Sequence, residues 1–582
     1  MKLTKFALTP PLVAISFALC AVFNLFAVER YVTATGVDDA DHGGSWDSAY
    51  ATITYAINQV KGSATADAPA TVWVDDGFVH EVSAKGTVTV PPNVILRSKS
   101  GDWRTGATIH GSPDSTARCV NLNAGGTIIG FDLVGGGDSG KYGNDGGING
   151  GNRTTSVARN CRITGCCGYD TASARTASLY DCEISFCTNR HTAAGGCASG
   201  PYSCNLYNCT VATNKTSGYG IWDCKIQGGT IKSAGSFLNS TASGTTFDNT
   251  PVRTSTAGKQ AFLTKCKVTA TSNVLAGDVI ADECEFSGCG QITMSGDAPH
   301  PTLLNCKIHD NVSRTSLIPY GNVISNCVIW SNSVDFPNGS AGSPAKGGIF
   351  NSAMCSLKVY NTTVSNNLVT LNGAATKSTS VVGIVADASG SYAITLRNCL
   401  FANNGSGNSV VRGARLTMYN TAVVDEAGAT SRLAHNVGAM VNCSLVRTTG
   451  IGETWYNEAV TTAVATNCVF WNGAACGDSY KSGYAYAPVN CCSAQAAADP
   501  TGASFSTDPH LNAVSASPAF LMPRKGSPCI DKCTGDCDFA WMRDPSDLRS
   551  RDVYGNKRVF GAAADIGAIE YKPTLGLLFF VR

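Results

Sequence analysis

Through the middle of the chain one pattern of apolar and polar positions keeps returning. "LYDCEISFC" (Leu179–Cys187), "LLNCKIHDN" (Leu303–Asn311), "ISNCVIWSN" (Ile324–Asn332) and "LRNCLFANN" (Leu396–Asn404) share it. Each reads apolar, any, polar, cysteine, any, apolar, then a small polar residue or cysteine five places after the first cysteine. Successive strand side chains point to opposite sides, so the cysteine and the apolar residue two places on face inward and the residue between them faces water. That outward slot reads Arg162, Glu183, Asn205, Lys225, Thr246, Lys267, Glu285 and Lys307. The slot five places on predicts a turn, and it holds Cys166, Cys187, Cys209, Gly229, Thr250, Thr271, Cys289, Asn311, Asn332, Asn367 and Asn404. Asparagines stacked at a bend bond side chain to backbone and to one another.

With the cysteine as rung marker, rungs fall at Cys161, Cys182, Cys204, Cys224, Thr245, Cys266, Cys284, Cys306 and Cys327, spaced 21, 22, 20, 21, 21, 18, 22 and 21. Cys204 is preferred to Cys209 because it keeps the period even. Further rungs follow at Thr362, Cys399, Thr421, Cys443, Cys468 and Cys491, with inserted loops in the gaps of 35 and 37. A repeat of this length, without the leucine and asparagine pattern of leucine-rich repeats or the long amphipathic segments of helical repeats, predicts an all-β chain: a right-handed parallel β-helix. About 16 to 19 coils at about 4.8 Å each make a rod about 80–90 Å long.

The ends of such a stack need covering. Ser45–Val60 predicts an amphipathic capping helix with Ala49, Ile53, Ile57 and Val60 on one side, and "TVWVDDGFVHE", "GTVTVPPNVILRS" and "ATIHG" predict the first coils. Residues 1–27, two lysines and then an apolar run ending at Ala27, predict a cleaved export signal. The division that follows is residues 28–500 as the capped β-helix and residues 501–582 as its C-terminal cap segment. The mature chain carries no transmembrane helix by this reading, and the location expected is secreted, extracellular or on the outer cell surface.

Composition narrows the function classes. The 582 residues carry a net charge of +1 and only 15% charged residues, so no global field draws in nucleic acid. In an exported chain, 26 cysteines suggest disulfides. Their regular spacing instead predicts mostly reduced thiols packed as small apolar residues. In-register stacking holds Cβ atoms wider than the roughly 3.8 Å a disulfide prefers. Off-ladder cysteines are the expected exceptions: Cys167 or Cys197, Cys491 or Cys492, and Cys529, Cys533 or Cys537.

Several longer segments carry a resemblance. They are "YVTATGVDDADHGGSWDSAYATITYAINQV", "IIGFDLVGGGDSGKYGNDGGING", the short motifs "GGI" and "FANN", and the closing "DPHLNAVSASPAFLMPRKGSPCID" and "DVYGNKRVFGAAADIGAIEY". Together they resemble secreted bacterial β-helix proteins similar to pectate lyases (the pectin-lyase-like fold) and the passenger repeats of polymorphic outer-membrane proteins. The resemblance implies fold and export. The chain ends shortly after "DIGAIEY", which leaves no room for a membrane-embedded barrel of its own.

The resemblance also sets what catalysis would require. Hydrolases on this fold use clustered aspartates. Here paired aspartates occur only at Asp38–Asp39 and Asp75–Asp76, and the Asn-Thr-Asp and Gly-His-Gly signatures of polygalacturonases are absent. A lyase needs a basic residue and a cation, with calcium the expected one, and no aspartate set recurs at one coil spacing to hold it. No other cofactor and no metal are expected. Arg97, Arg118, Lys141 and Arg162 recur at 21, 23 and 21 residues and suggest a basic stripe for an acidic glycan. The glycine-rich loop with Asp138, Lys141, Tyr142 and Asp145 is the other place to look for a ligand. The expectation is a surface β-helix that binds a polysaccharide or another cell-surface component, or is structural, and is not catalytic. The alternative is a polysaccharide lyase or glycoside hydrolase acting on an acidic polysaccharide.

Overall fold

The computed structural model describes residues 27–572, apart from 112–116, 138–145, 169–170, 190–197, 215–218, 255–258, 294–298, 338–345, 353–354, 372, 374–381, 387–391, 407–408, 426–431, 449–451, 513–520 and 534–550. The chain is a right-handed parallel β-helix, the hand in which strand–crossover–strand connections nearly always run. A 19-stranded parallel sheet forms the first face, a second parallel ladder the next, and shorter sheets of two to six strands the third. Each coil lays its strands on those of the coil before. Thr302–Leu304 lies beside Val323–Ser325 on the first face, and Lys307–His309 beside Val328–Trp330 on the second.

Within a coil the burial follows the alternation. Leu303, Cys306 and Ile308 are buried and Lys307 is exposed. The corner between the two strands is made by the polar residue before the cysteine. It stands in the left-handed region, with φ 52° at Asp181, 53° at Asn305, 56° at Asn326, 55° at Asn398 and 53° at Asn442. Among side-chain-bearing residues asparagine and aspartate tolerate that region best. These asparagines also bond from coil to coil: Asn326 Nδ2 donates to Asn305 Oδ1 at 3.1 Å, and Asn305 Nδ2 to Asp282 Oδ1 at 2.7 Å.

The rung residue completes the corner. Cys306 Sγ donates to Leu304 O at 3.1 Å and to Ala281 O, one coil away, at 3.4 Å. Where threonine replaces cysteine the bond within the coil persists, as Thr245 Oγ1 donates to Ser243 O at 3.2 Å, while its bond to the coil before goes to a different carbonyl, Gly228 O, at 3.1 Å. The slot therefore selects a small side chain with a donor, which cysteine and threonine share. Burial pushes the Cys399 thiol up to about 12 and, at the second corner, the Cys289 thiol up to about 11, which keeps these two protonated.

At the second corner the buried asparagines form a ladder. Asn311 Nδ2 donates to Asn332 Oδ1 at 2.8 Å, Asn332 Nδ2 to Asn367 Oδ1 at 2.8 Å, and Asn367 Nδ2 to Asn404 Oδ1 at 2.9 Å. Each oxygen also accepts a backbone N–H, as Asn332 Oδ1 does from Asn311 N at 3.1 Å. Each amide also donates to a carbonyl, as Asn332 Nδ2 does to Ile308 O at 3.1 Å.

The register corrects two rungs. Asn205 lies between Ser178 and Lys225 on the first face, and Thr210 between Glu183 and Thr230 on the second. Cys209, not Cys204, therefore follows Cys182 in the ladder, and Gly229 follows Cys209. The water-facing residues of these coils are Thr210 and Thr230, and the second corner holds Asn214, whose Oδ1 accepts from Cys187 N at 2.9 Å. Cys204 and Cys224 belong to a third corner, where the chain enters the first face, and Cys204 N donates to Cys224 Sγ at 3.4 Å. The even period fails because third-face segments differ in length. Asp181 and Asn208 are 27 residues apart, and later coils reach 35 and 37.

The N-terminal helix is shorter than the pattern suggests and covers Ile53–Val60, burying Ile53, Ala56, Ile57 and Val60. Asp38 stops it from starting earlier. Its carboxylate accepts from Ala51 N at 2.8 Å and Thr52 N at 3.0 Å, while Thr52 Oγ1 caps Tyr55 N at 3.2 Å. Ala49 is buried ahead of the helix. At the other end, residues 551–571 lie along the outside of the second face. Asn420 Nδ2 donates to Arg551 O at 2.9 Å and Ala568 N to Ser444 Oγ at 2.9 Å. Here the outward residues Ala422, Val424, Val446 and Val469 turn apolar and pack against Ile566, Ala568 and Ile569.

Two outcomes test this architecture. Asn332→Ala strands the amide partners of Asn311 and Asn367 and costs about 3 kcal/mol in equilibrium urea unfolding. At the outer corner Asn326→Gly changes stability by less than about 1 kcal/mol, whereas Asn326→Val costs about 2 kcal/mol because a β-branched residue resists positive φ.

Candidate functional site

With the core closed by these ladders, recognition is left to the outward rows, which follow strand register. One row on the first face reads Tyr31, Trp73, Arg97, Ile129, Arg159, Tyr180, Tyr207 and Gln227, each residue aligned with the next. Strand alternation places all of them outside, over Val72, Leu96, Ile128, Ala158, Leu179 and Leu206 one position earlier. The Arg97 guanidinium lies 5.0 Å from the Trp73 ring and the Arg159 guanidinium 3.7 Å from the Tyr180 ring. Tyr180 and Tyr207 stack with centroids 4.5 Å apart and planes within 9°. Arg159 is exposed, and the two tyrosines are half-buried, with Tyr180 sandwiched between Arg159 and Tyr207.

A second stack stands at the corner that leads into the same strands. Arg175 lies 5.5 Å from the Tyr202 ring, which is 5.0 Å from Trp222. Between the two stacks the first face presents Ser178, Asn205 and Lys225. Ser178 Oγ donates to Arg153 O at 2.6 Å and Asn205 Nδ2 to the same carbonyl at 3.2 Å, while Asn205 Oδ1 has no partner among the described residues. Carboxylates beside the row are engaged. Glu29 accepts from Tyr31 Oη at 3.0 Å and Trp73 Nε1 at 3.2 Å, and Asp181 from Asn208 Nδ2 at 2.7 Å. Arg153, Arg159 and Lys225 form no ion pair with a described carboxylate. The surface offers flat rings and free cations, the groups that recognise an extended anionic chain.

The expected basic stripe is not one row. Arg97 belongs to the row just described. Arg162 faces out from the second face, where Nε donates to Asp132 Oδ1 at 2.8 Å and the guanidinium lies 4.5 Å from Trp103. The bond to Asp132 holds Arg162 above its ordinary value, so its charge is spent within the protein. Arg118 sits at the third corner beside buried Cys119, its carbonyl accepting from Thr87 Oγ1 at 2.9 Å. Asp138, Lys141, Tyr142 and Asp145 lie outside the described residues. A 21-residue interval does not follow one row because coil length varies here. Arg159, Tyr180 and Tyr207 share one signal, the position just before the left-handed Asn160, Asp181 and Asn208. Counting from the corner, not from the period, finds them.

A second group of ionisable residues lies on the third face near the C-terminal end. Arg432 Nε donates to Glu453 Oε2 at 2.7 Å and its guanidinium lies 4.0 Å from the Tyr456 ring, while His435 Nε2 bonds Glu458 Oε1 at 2.9 Å. Beside them Arg447 pairs with Asp425 at 3.4 Å, both buried. Two of these contacts are ion pairs, Arg432–Glu453 and Arg447–Asp425, and the third is a hydrogen bond from His435 to Glu458, which together make the group a structural network. Burial, then the charges of Arg412 and Arg432, push His435 down to about 4. Among the described residues no three metal-ligating side chains converge, and no helix is long and apolar enough to cross a membrane.

No family model matches the chain, and no curated protein matches it. Solved structures similar to it include a pectate lyase at 11% identity, covering 94% of this chain and 97% of that one with a TM-score of 0.18. A tailspike protein of E. coli bacteriophage HK620 in complex with a hexasaccharide is 11% identical, covering 67% and 73% with a TM-score of 0.27. A PL6-family alginate lyase is 9% identical, covering 78% and 97% with a TM-score of 0.24.

The third-face network makes a pH prediction. With its folded value lowered to about 4 against an unfolded value of about 6.5, His435 contributes stability that is full above pH 6.5 and is lost as pH falls toward 4. The loss is about 3 kcal/mol, read as a drop in urea midpoint between pH 7 and pH 4, and His435→Gln flattens it.

Proposed function

We propose that this is a secreted or surface-associated β-helix that binds an acidic polysaccharide along the first face without cleaving it. The observation that carries the reading is the aligned row of Trp73, Arg97, Arg159, Tyr180 and Tyr207, with its ring-to-ring stack and an Arg159 that forms no ion pair with a described carboxylate. Coils rise by about 4.8 Å, close to the length of one sugar ring along an extended chain, so successive rings of the row meet successive sugars. Sugars lie along the outward edges of the stacked rings, and carboxylates or sulfates meet the guanidinium edges left open by stacking. The carboxylates next to the row are held by tyrosine, tryptophan and asparagine, which suits recognition better than proton transfer. The resemblance noted in the sequence implies fold and export, which agrees with a protein that works outside the cell.

Affinity electrophoresis against neutral, uronic and sulfated polysaccharides tests this. The expected result is retardation by an acidic glycan, weakened by added salt. Tyr207→Ala and Arg159→Gln each cut affinity about tenfold, some 1.4 kcal/mol. No retardation by any glycan, or retardation that both variants leave unchanged, contradicts the reading. Release of new reducing or unsaturated ends favours the lyase or hydrolase alternative.

A further inference from the structure

The ladder thiols have one thing in common that Cys476 lacks. Each donates to backbone carbonyls of its own coil and, in most cases, of the coil before, as Cys182 Sγ does to Tyr180 O at 3.3 Å and Ala158 O at 3.6 Å. Cys476 stands outside the ladder, on a short reversal after the second-face strand Val469–Trp471. Asn472 builds that reversal. Its N–H donates to Ala475 O at 2.9 Å, and its Oδ1 accepts from Ala474 N at 3.1 Å and Ala475 N at 2.9 Å. The turn carries Cys476 back over the outside of the second face, where Cys492 points outward beside the ladder residue Cys491. There the two sulfurs lie 3.5 Å apart, and Cys492 is the hydrogen-bond partner of Cys476 among the described residues.

We propose that Cys476 and Cys492 are a redox pair that closes into a disulfide on the outside of the second face when the protein meets an oxidising disulfide such as oxidised glutathione, while the ladder thiols stay reduced. The two residues have unequal parts. Cys476 is partly exposed and Cys492 fully buried. Contact with Cys476, and then burial, push the Cys492 thiol up, and Cys476 is the sulfur of the pair that solvent reaches. The Cys476 thiolate attacks one glutathione sulfur and expels the other glutathione as a thiolate, which takes up a proton. Cys492 then gives its proton to solvent and attacks Cys476 Sγ in the mixed disulfide, expelling the second glutathione. Two protein thiols are oxidised and one glutathione disulfide is reduced to two thiols.

The bond would pin the Asn472 reversal to the last coil. Cys492 itself packs with Leu521, Cys529 and Ile566 of the C-terminal segment, so the clasp sits where that segment begins to cover the second face.

Mapping the bond tests the proposal in the full-length protein. The chain is incubated with oxidised glutathione, alkylated in denaturant without reductant, and digested with trypsin. Cleavage after Lys481 separates the two cysteines, leaving Cys468 with Cys476 on one peptide and Cys491 with Cys492 on the other. The expected product is a cross-linked pair of these peptides, lighter by two hydrogens. Its fragment ions should place the bond between Cys476 and Cys492, with Cys468 and Cys491 alkylated. A bond between Cys468 and Cys491, a bond from Cys492 to Cys529, or full alkylation of all four overturns the proposal. In Cys476→Ser, Cys492 should remain alkylatable under the same treatment; a cross-link at Cys492 in that variant overturns it equally.

Discussion

The corner between the first and second faces is the constraint from which the rest of this molecule follows. A chain that must turn within one residue, at the same place in every coil, needs a backbone in the left-handed region, which costs an ordinary residue about 1–2 kcal/mol each time. Asn305, Asn326, Asn398 and Asn442 reduce that cost and add bonds between coils. The residue after the corner is then forced inward beside carbonyls it has to satisfy. That requirement explains why cysteine and threonine exchange at one position while larger residues rarely enter it.

Stacking in register turns a property of one residue into a property of a row. A donor at one corner becomes a ladder of donors, as in the run from Asn311 to Asn404, and an outward tyrosine becomes a stack of tyrosines. The first two faces keep their corners fixed and the third absorbs insertions. The outside of the second face is divided along its length. Lys267, Glu285 and Lys307 meet water, whereas Ala422, Val446 and Val469 lie under the C-terminal segment.

Much of this was legible in the sequence, because alternation and the cysteine slot are local and repeat many times. The inward roles of Leu303, Cys306 and Ile308 and the asparagine bend at Asn311 follow from nine residues alone. What failed was anything that depended on coil length. Cys204 has the right residue type and the right spacing, yet it marks a different corner, because the coil from Asp181 to Asn208 is 27 residues long. The basic stripe failed for the same reason: Arg97 and Arg159 share a row through register, while Arg162 shares only an interval. The early end assigned to the capping helix reflects a carboxylate, Asp38, that periodicity does not see. The apolar outward slots from Ala422 onward did signal a covered face, but the signal is legible only once the corner residue has set which slots point outward.

A thiol count most directly tests the central claim, that cysteines mark the coils as buried free donors and not as cross-links. The unreduced protein should show almost no reactive thiol when native and nearly all of the 25 cysteines that follow residue 27 when unfolded in denaturant. If most cysteines stay unreactive after unfolding and appear only with a reductant, disulfides hold the coils and the corner account is wrong.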